Sequence, residues 1–329
     1  MKEILEHLFS HHLLSRSQAH DVLWQISEGK FNSSQVSAFL TVFKMRSITV
    51  DELVGFRDCL HERCITIDLS EFDPVDLCGT GGDGKNTFNI STLASFVTAG
   101  AGYKVAKHGN YGVSSSCGSS NIMEFLGYKF TNKPDLLKRQ IDTSGICFLH
   151  APMFHPAMKE VAPVRKDIGV STFFNMLGPM VNPSFPKKQM VGVFSLELQR
   201  YYKYIYEHDD INYQIVHSMD GYDEVSLTTD TKVIGPDKEY LLKPTDITSQ
   251  PITQESLYGE ESVAGSTRLF YSILEGQGTF EQNSVVTANA ALAIQCCDPE
   301  KLFPECLALA KESLESGRAK NVLKTLLSI

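Results

Sequence analysis

DLCGTGGDGKNTFNIST, residues 76–92, and YKVAKHGNYGVSSSCGSSNIMEFLG, residues 103–127, are glycine-rich turns that each follow a short apolar run and lead into helix-like sequence. Turns of this kind and helix starts both present backbone N–H groups with no intrachain partner, which is what an oxyanion needs. Two of them at short range point to a ligand with several phosphates. One glycine turn alone would be read as a tight connection. Here Lys107, Asn110, Ser114, Ser115 and Ser119 add a cation, an amide and hydroxyls to the second turn, and phosphate binding is the better reading.

Two familiar patterns fit the first turn and fail on chemistry. Gly79, Gly81 and Gly84 satisfy G-x-G-x-x-G, but about 20 residues later a dinucleotide site needs a carboxylate for the ribose hydroxyls. Residues 103–108, YKVAKH, are basic instead. Gly79 to Lys85 matches G-x-x-x-x-G-K, yet the next residue is Asn86, where a Walker loop requires Ser or Thr for Mg²⁺.

Outward from these turns, VDLC, YKVA and GICFLH alternate with helical stretches at 91–101 and 118–126, the pattern of a parallel α/β sheet with ligands at its carboxyl edge. A helical interlude follows at about 156–180, then strands QMVGVFS, YQIVHS and EVSLTTDTKVIG. The last ninety residues show a polar stretch and two helices, 284–297 and 304–316. Before the sheet, residues 1–65 read as four short amphipathic helices. Capping-box spacing marks Ser15 with Gln18, Asn32 with Gln35 and Thr49 with Glu52. Their apolar stripes, such as Val36, Phe39, Leu40 and Phe43, read as core or dimer surface. The expected fold class is therefore α/β: a small N-terminal helical domain and a larger α/β domain whose central, mainly parallel sheet is flanked by helices.

GTGGD (79–83), NIST (89–92), KHGN (107–110) and the serine turn 114–119 resemble the loops of the anthranilate phosphoribosyltransferase family. HPAMKEVAPVRKDIG (155–169), FNMLGPMVNP (174–183) and MDGYDEVS (219–226) are similar to that family's acceptor-side and acidic segments, so the resemblance covers nearly the whole chain. It implies a helical domain of 1–65 joined by helices at about 165–190, an α/β domain of 66–329, and a cleft between them. It implies transfer of the phosphoribosyl group of 5-phosphoribosyl 1-diphosphate to anthranilate in tryptophan biosynthesis, with release of pyrophosphate.

By the same resemblance, Gly79, Gly82, Asp83, Thr87, Asn89, Ser91, Thr92, Lys107, Asn110, Ser114, Ser115 and Ser119 bind the donor. Gly79, His108, Asn110, Pro152, His155 and Arg165 contact anthranilate, with Arg165 forking onto its carboxylate. Ser91, Asp223 and Glu224 hold Mg²⁺, two ions per monomer. No catalytic acid or base is assigned, since the arylamine is already nucleophilic and the work is positioning and electrostatics. A homodimer through the helical domain is also implied. The chain departs from the family at Tyr111-Gly112, where Arg-Ala is common, at Asn121, usually aspartate, and at Ser171, usually arginine.

Composition agrees. A formal charge of −9 over 329 residues disfavours a nucleic-acid or membrane-surface role. The N-terminus lacks the pattern of a cleaved signal and no apolar run spans a bilayer, so a cytoplasmic enzyme is expected. The eight cysteines are scattered without a C-x-x-C pair, as reduced thiols are. Two other readings stay open: a pyrimidine nucleoside phosphorylase-like enzyme, which thymine release from thymidine and phosphate would reveal, and a catalytically silent nucleic-acid-binding relative.

Overall fold

The computed structural model describes residues 1–112 and 117–329. The chain divides into two compact units, Met1–Thr66 with Ala151–Pro183, and Ile67–His150 with Ser184–Ile329. Ser114 and Ser115 lie outside the described residues.

In the smaller unit, helices Lys2–Phe9, Arg16–Ser27, Ser33–Met45 and Val50–Arg63 occupy the N-terminal segment. All three capping boxes read from the sequence form, each satisfying two otherwise orphaned N–H groups. Phe39, Phe43 and Phe56 bury their rings against Phe173 of the returning segment, with Phe56 and Phe173 stacked at 4.2 Å. Glu52 is fully buried, and burial alone would raise its pKa. A 2.5 Å pair with Arg46 and the N–H groups of Leu14 and Thr49 hold it below the ordinary value. The returning segment runs 151–183, where the sequence put it at about 165–190. It is tied to the N-terminal helices where Ile65 N–H donates to the Phe154 carbonyl (2.7 Å) and the His61 ring to that of Met180 (2.7 Å).

The larger unit holds β1 (Val75–Gly79), β2 (Val105–Gly109), β3 (Ile146–His150), β4 (Lys188–Gly192), β5 (Asn212–Ser218), β6 (Thr231–Ile234) and β7 (Glu239–Leu242). They form one seven-stranded sheet in the order β3-β2-β1-β4-β5-β6-β7. The first five in that order pair in parallel and the last two are antiparallel, so the sheet is mainly parallel as expected. From β1 the chain builds outward through β2 to β3, then returns to the other side of β1 with β4. That makes the carboxyl ends of β1 and β4 the switch point, where open α/β sheets bind ligands.

Four α-helices, not two, occupy the last ninety residues: Val263–Leu274, Phe280–Cys297, Phe303–Glu315 and Arg318–Leu327. The second starts at Phe280 rather than 284, capped by Thr279. It is buried from Ser284 to Cys296, so it carries no polar stripe to mark its length in the sequence. Residues 224–235 were read as one strand, but only Thr231–Ile234 joins the sheet. The Asp223 backbone passes directly over Gly192 at the end of β4, which takes this segment out of the ladder. Among the described residues no helix is long and apolar enough to cross a membrane.

Candidate active site

At the end of β1 the chain turns through Gly81 (φ 61°), Gly82 (φ 79°) and Gly84 (φ 72°), conformations that a side chain would strain. Gly79 and Gly192 are register partners on β1 and β4, and both are needed as glycine for space. A Cβ on Gly79 would stand 2.5 Å from Asp223 Oδ2, and one on Gly192 would stand 1.6 Å from the Asp223 carbonyl oxygen. Asp223 thus lies in a slot cut by two glycines, where its Oδ2 accepts the Gly81 N–H at 2.7 Å. Asp83 folds onto its own turn, taking the Lys85 N–H at 3.0 Å.

This arrangement gathers three carboxylates. Asp83, Asp223 and Glu224 each offer an oxygen within 4.8 Å of the others. Desolvation, and for Asp83 and Glu224 also the neighbouring negative charge, raise the pKa of all three. Like charges brought together away from water are unfavourable unless a cation joins them. Oxygen ligands of this kind suit Mg²⁺, so the donor set fits that ion. Ser91, in the first turn of the helix Ile90–Gly100, lines with Gly79, Asp223 and Glu224 a cavity of about 10 Å³. Asn89 precedes that helix without capping it. Its Nδ2 instead donates to the Cys117 carbonyl at 3.0 Å, tying the first loop to the second. Thr87 makes a bridge to Tyr258, and Thr92 is buried inside the helix.

Lys107 does not stand on an open loop. It is 2% exposed on β2, and its Nζ donates to the Leu77 carbonyl at 2.5 Å. Burial draws its pKa down, while Cys78, Asp76 and Glu224 act the other way. The amine is therefore set into the sheet near the carboxylates. His108 is buried beside it, its backbone N–H on Asp76 Oδ1 at 3.1 Å. Asn110 Oδ1 accepts the Tyr111 N–H at 2.8 Å, and the Asn110 carbonyl accepts from Ser119 Oγ at 3.3 Å and from Ser120 N–H. The departures at Tyr111 and Asn121 are built in. Asn121 Oδ1 accepts N–H groups from both Gly112 and Gly118 at 3.0 Å, and the Tyr111 ring sits edge-on to His150 with its hydroxyl 3.4 Å from Glu124. Ser171 accepts from Lys44 Nζ at 3.1 Å.

Pro152, His155 and Arg165 belong to the smaller unit. Pro152 is exposed. Arg165 is half-buried, donates to Asn175 Oδ1 at 3.1 Å and lies 5.3 Å from the Phe174 ring centroid. Among the described residues it pairs with no carboxylate, which leaves a guanidinium able to take an anion. His155 is buried, its Nε2–H donating to the Val181 carbonyl at 2.9 Å, and burial pulls its pKa from 6.5 down to about 4. The folded chain keeps this ring neutral while the unfolded chain protonates it. Its contribution is therefore complete above pH 6.5 and lost as pH falls toward 4. The loss amounts to about 3 kcal/mol at the acid end. Thermal unfolding between about pH 7.5 and 4.5 should show this decline in the parent and a shallower one in His155→Gln. Parallel declines would remove His155 as the cause.

Sequence reasoning missed Gly192, Lys85 and Asn289. A glycine inside the strand-like QMVGVFS was a legible sign of close backbone approach. Lys85, set aside with the Walker pattern, has Nζ 4.6 Å from the Tyr222 ring centroid, next in sequence to the acidic pair. Asn289, in the buried helix Phe280–Cys297, carried no signal.

Residues 2–64 match the model of the glycosyl transferase family helical bundle domain, and residues 71–320 that of the glycosyl transferase family a/b domain. The chain is 57% identical to the anthranilate phosphoribosyltransferase of Flavobacterium johnsoniae, over 99% of this chain and 98% of that one. It is 50% identical to that of Bacteroides fragilis over 98% of both. The crystal structure of the enzyme from Thermus thermophilus matches with a TM-score of 0.90 at 30% identity, over 98% of each chain. The Saccharomyces cerevisiae enzyme in complex with PRPP and Mg matches at 0.89 and 26% identity, over 98% of this chain and 96% of that one. A glycine turn over three carboxylates, a switch point that positions it and relatives matched end to end agree, and the chain belongs to the anthranilate phosphoribosyltransferase family.

Proposed function

We propose that this protein transfers the phosphoribosyl group of 5-phosphoribosyl 1-diphosphate to anthranilate, releasing pyrophosphate and giving N-(5-phosphoribosyl)anthranilate for tryptophan biosynthesis. The observation that carries the reading is the gathering of Asp83, Asp223 and Glu224 at the glycine turn after β1. A phosphoribosyl transfer needs a place where a diphosphate gains charge as it leaves, and among the described residues this carboxylate cluster supports that role through a cation.

Gly79, Gly82 and the N–H groups of the turn wrap the diphosphate, with Thr87, Asn89, Ser91, Asn110 and Ser119 as neutral donors around the phosphates and ribose. Ser114 and Ser115 are proposed as further hydroxyl donors to the same substrate. Thr92 and Lys107 act from within, Lys107 as a buried positive charge close to Glu224. Asp223 and Glu224, with Ser91 and Asp83, would hold Mg²⁺, two ions per chain. When bound, Mg²⁺ supplies charge neutralisation of the leaving diphosphate. Arg165 forks onto the anthranilate carboxylate and orients the amine, with Pro152, His155, His108 and Asn110 shaping its surroundings. The C1′–O bond to diphosphate breaks, the C1′–N bond forms, and the amine sheds a proton. Orientation by Arg165 and the donors at the leaving group are the chain's contribution to rate.

The test is loss of anthranilate fluorescence with 5-phosphoribosyl 1-diphosphate and Mg²⁺, run with and without chelator. Metal-dependent loss matched by pyrophosphate release is the expected result. A folded protein that binds the donor and leaves anthranilate unchanged would overturn the acceptor assignment.

The helical unit is proposed to form the homodimer. Phe9, Leu13 and Met45 are 59%, 53% and 83% exposed, and Phe9 and Met45 line an apolar groove of about 490 Å³ with Leu8, Ala38 and Val42. Met45→Glu should convert a dimer into a monomer in size-exclusion light scattering without loss of secondary structure. An unchanged mass would exclude this face. The eight cysteines are free thiols. A cytoplasmic setting is part of the proposal.

A further inference from the structure

Residues 219–230 join β5 to β6 without regular secondary structure, so the backbone of Val225 has no ladder partner although the residue is fully buried. Asn289, 1% exposed in the helix Phe280–Cys297, supplies both missing bonds. Its Oδ1 accepts the Val225 N–H at 3.1 Å, and its Nδ2 donates to the Val225 carbonyl at 3.0 Å and to the Val285 carbonyl at 2.8 Å. Both amide hydrogens and the oxygen are used, so the side chain is locked. It takes the place of a neighbouring strand for the residue that follows Glu224. On the other side, Ser218 Oγ donates to the Glu224 carbonyl at 2.6 Å and accepts the Ser226 N–H at 3.1 Å. Asn289 also lines the 10 Å³ cavity shared by Ser91, Asp223 and Glu224.

We propose that Asn289 is the positioning residue of the acidic pair: it holds the Val225 backbone and thereby fixes where the Asp223 and Glu224 carboxylates stand for metal. The proposal rests on the metal-binding reading above. The carboxylates repel one another, and their own electrostatics would spread them apart. The Gly81 N–H holds the Asp223 carboxylate directly, and the backbone that follows the pair is held by Ser218 and by the fully bonded amide of Asn289. Removing that amide leaves the Val225 N–H and carbonyl unpaired in an apolar interior, which the segment can relieve only by shifting.

The test is equilibrium dialysis of the full chain against Mn²⁺ with inorganic pyrophosphate, beside Mg²⁺ titration of turnover. Asn289→Ala should weaken Mn²⁺ retention and raise half-saturating Mg²⁺ by about tenfold or more, as loss of a supporting hydrogen-bond partner does at metal sites. Its KM for anthranilate should stay within about twofold, because the acceptor's carboxylate contact is untouched. Asn289→Ser, which keeps one acceptor for the Val225 N–H, should fall between, and it serves if the alanine variant does not fold. Leu292→Ala removes an equally buried side chain of the same helix and should lower the melting temperature while its metal curves overlay the parent's. The proposal is overturned if the folded Asn289 variants bind Mn²⁺ as the parent does, or if Leu292→Ala weakens it equally. A parent that retains no Mn²⁺ would sink the metal reading itself, a different result from a parent that binds with Asn289→Ala unchanged.

Discussion

Replacing Arg165 by alanine should raise the KM for anthranilate by about two orders of magnitude, with the KM for 5-phosphoribosyl 1-diphosphate changed by less than about threefold. The size follows from two charge-assisted hydrogen bonds lost from one carboxylate, together about 3 kcal/mol. The guanidinium is half-buried and faces Asn175 and the Phe174 ring, both neutral, so its charge is not already spent on a carboxylate of the same chain. Arg165→Lys should recover only part of the loss, because an ammonium cannot present two parallel donors to a planar anion. Initial rates with each substrate varied in turn make the measurement. Equal damage to both KM values would show that Arg165 serves the Ala162–Ile168 helix and not the acceptor.

The double substitution Asp223→Asn with Glu224→Gln should have two opposite effects. Turnover should fall by about a thousandfold or more, because the charge that draws a cation to the leaving diphosphate is gone. Stability without metal should rise, because desolvated and mutually repelling carboxylates become neutral amides that keep an oxygen for the Gly81 N–H. The pH dependence follows. In the parent the folded state holds these protons above the ordinary carboxylate range, so metal-free stability falls as pH rises through that range toward the raised values. The double variant should lose that decline, along with the Mg²⁺-induced rise in melting temperature. A magnesium titration that overlays the parent's would show that the metal lies elsewhere.

Much of this molecule is legible in its sequence, for identifiable reasons. The capping boxes at Ser15, Asn32 and Thr49 could be read because their donors and acceptors lie three residues apart. The strand–glycine–helix passages at 75–100 and 105–125 could be read because the turn residues and the apolar runs are contiguous. What escaped was whatever lacks a local signature. The helix Phe280–Cys297 was shortened because burial on every side erases its stripe, and the strand read at 224–235 was too long because β-branched residues there line a crossing and not a ladder.

By itself the sequence determined the fold class, the reaction family and the list of polar residues from which the site is made, since these rest on residue identity and short spacing. Tertiary structure alone decided which of them meet. Asp83 and Asp223 stand 140 residues apart in the chain and come together because β1 and β4 are neighbours and Gly79 and Gly192 share a register. The sequence marks Lys107 as a cationic residue beside a phosphate-type loop, while the direction of its side chain depends on which face of β2 it occupies, and that face turns it onto the Leu77 carbonyl. Asn289 looks like any helical asparagine until Val225 is beside it. Hydrogen bonds between residues three or four apart leave a pattern in the sequence, whereas bonds across a sheet or from helix to loop are set by register and packing, which no short spacing encodes.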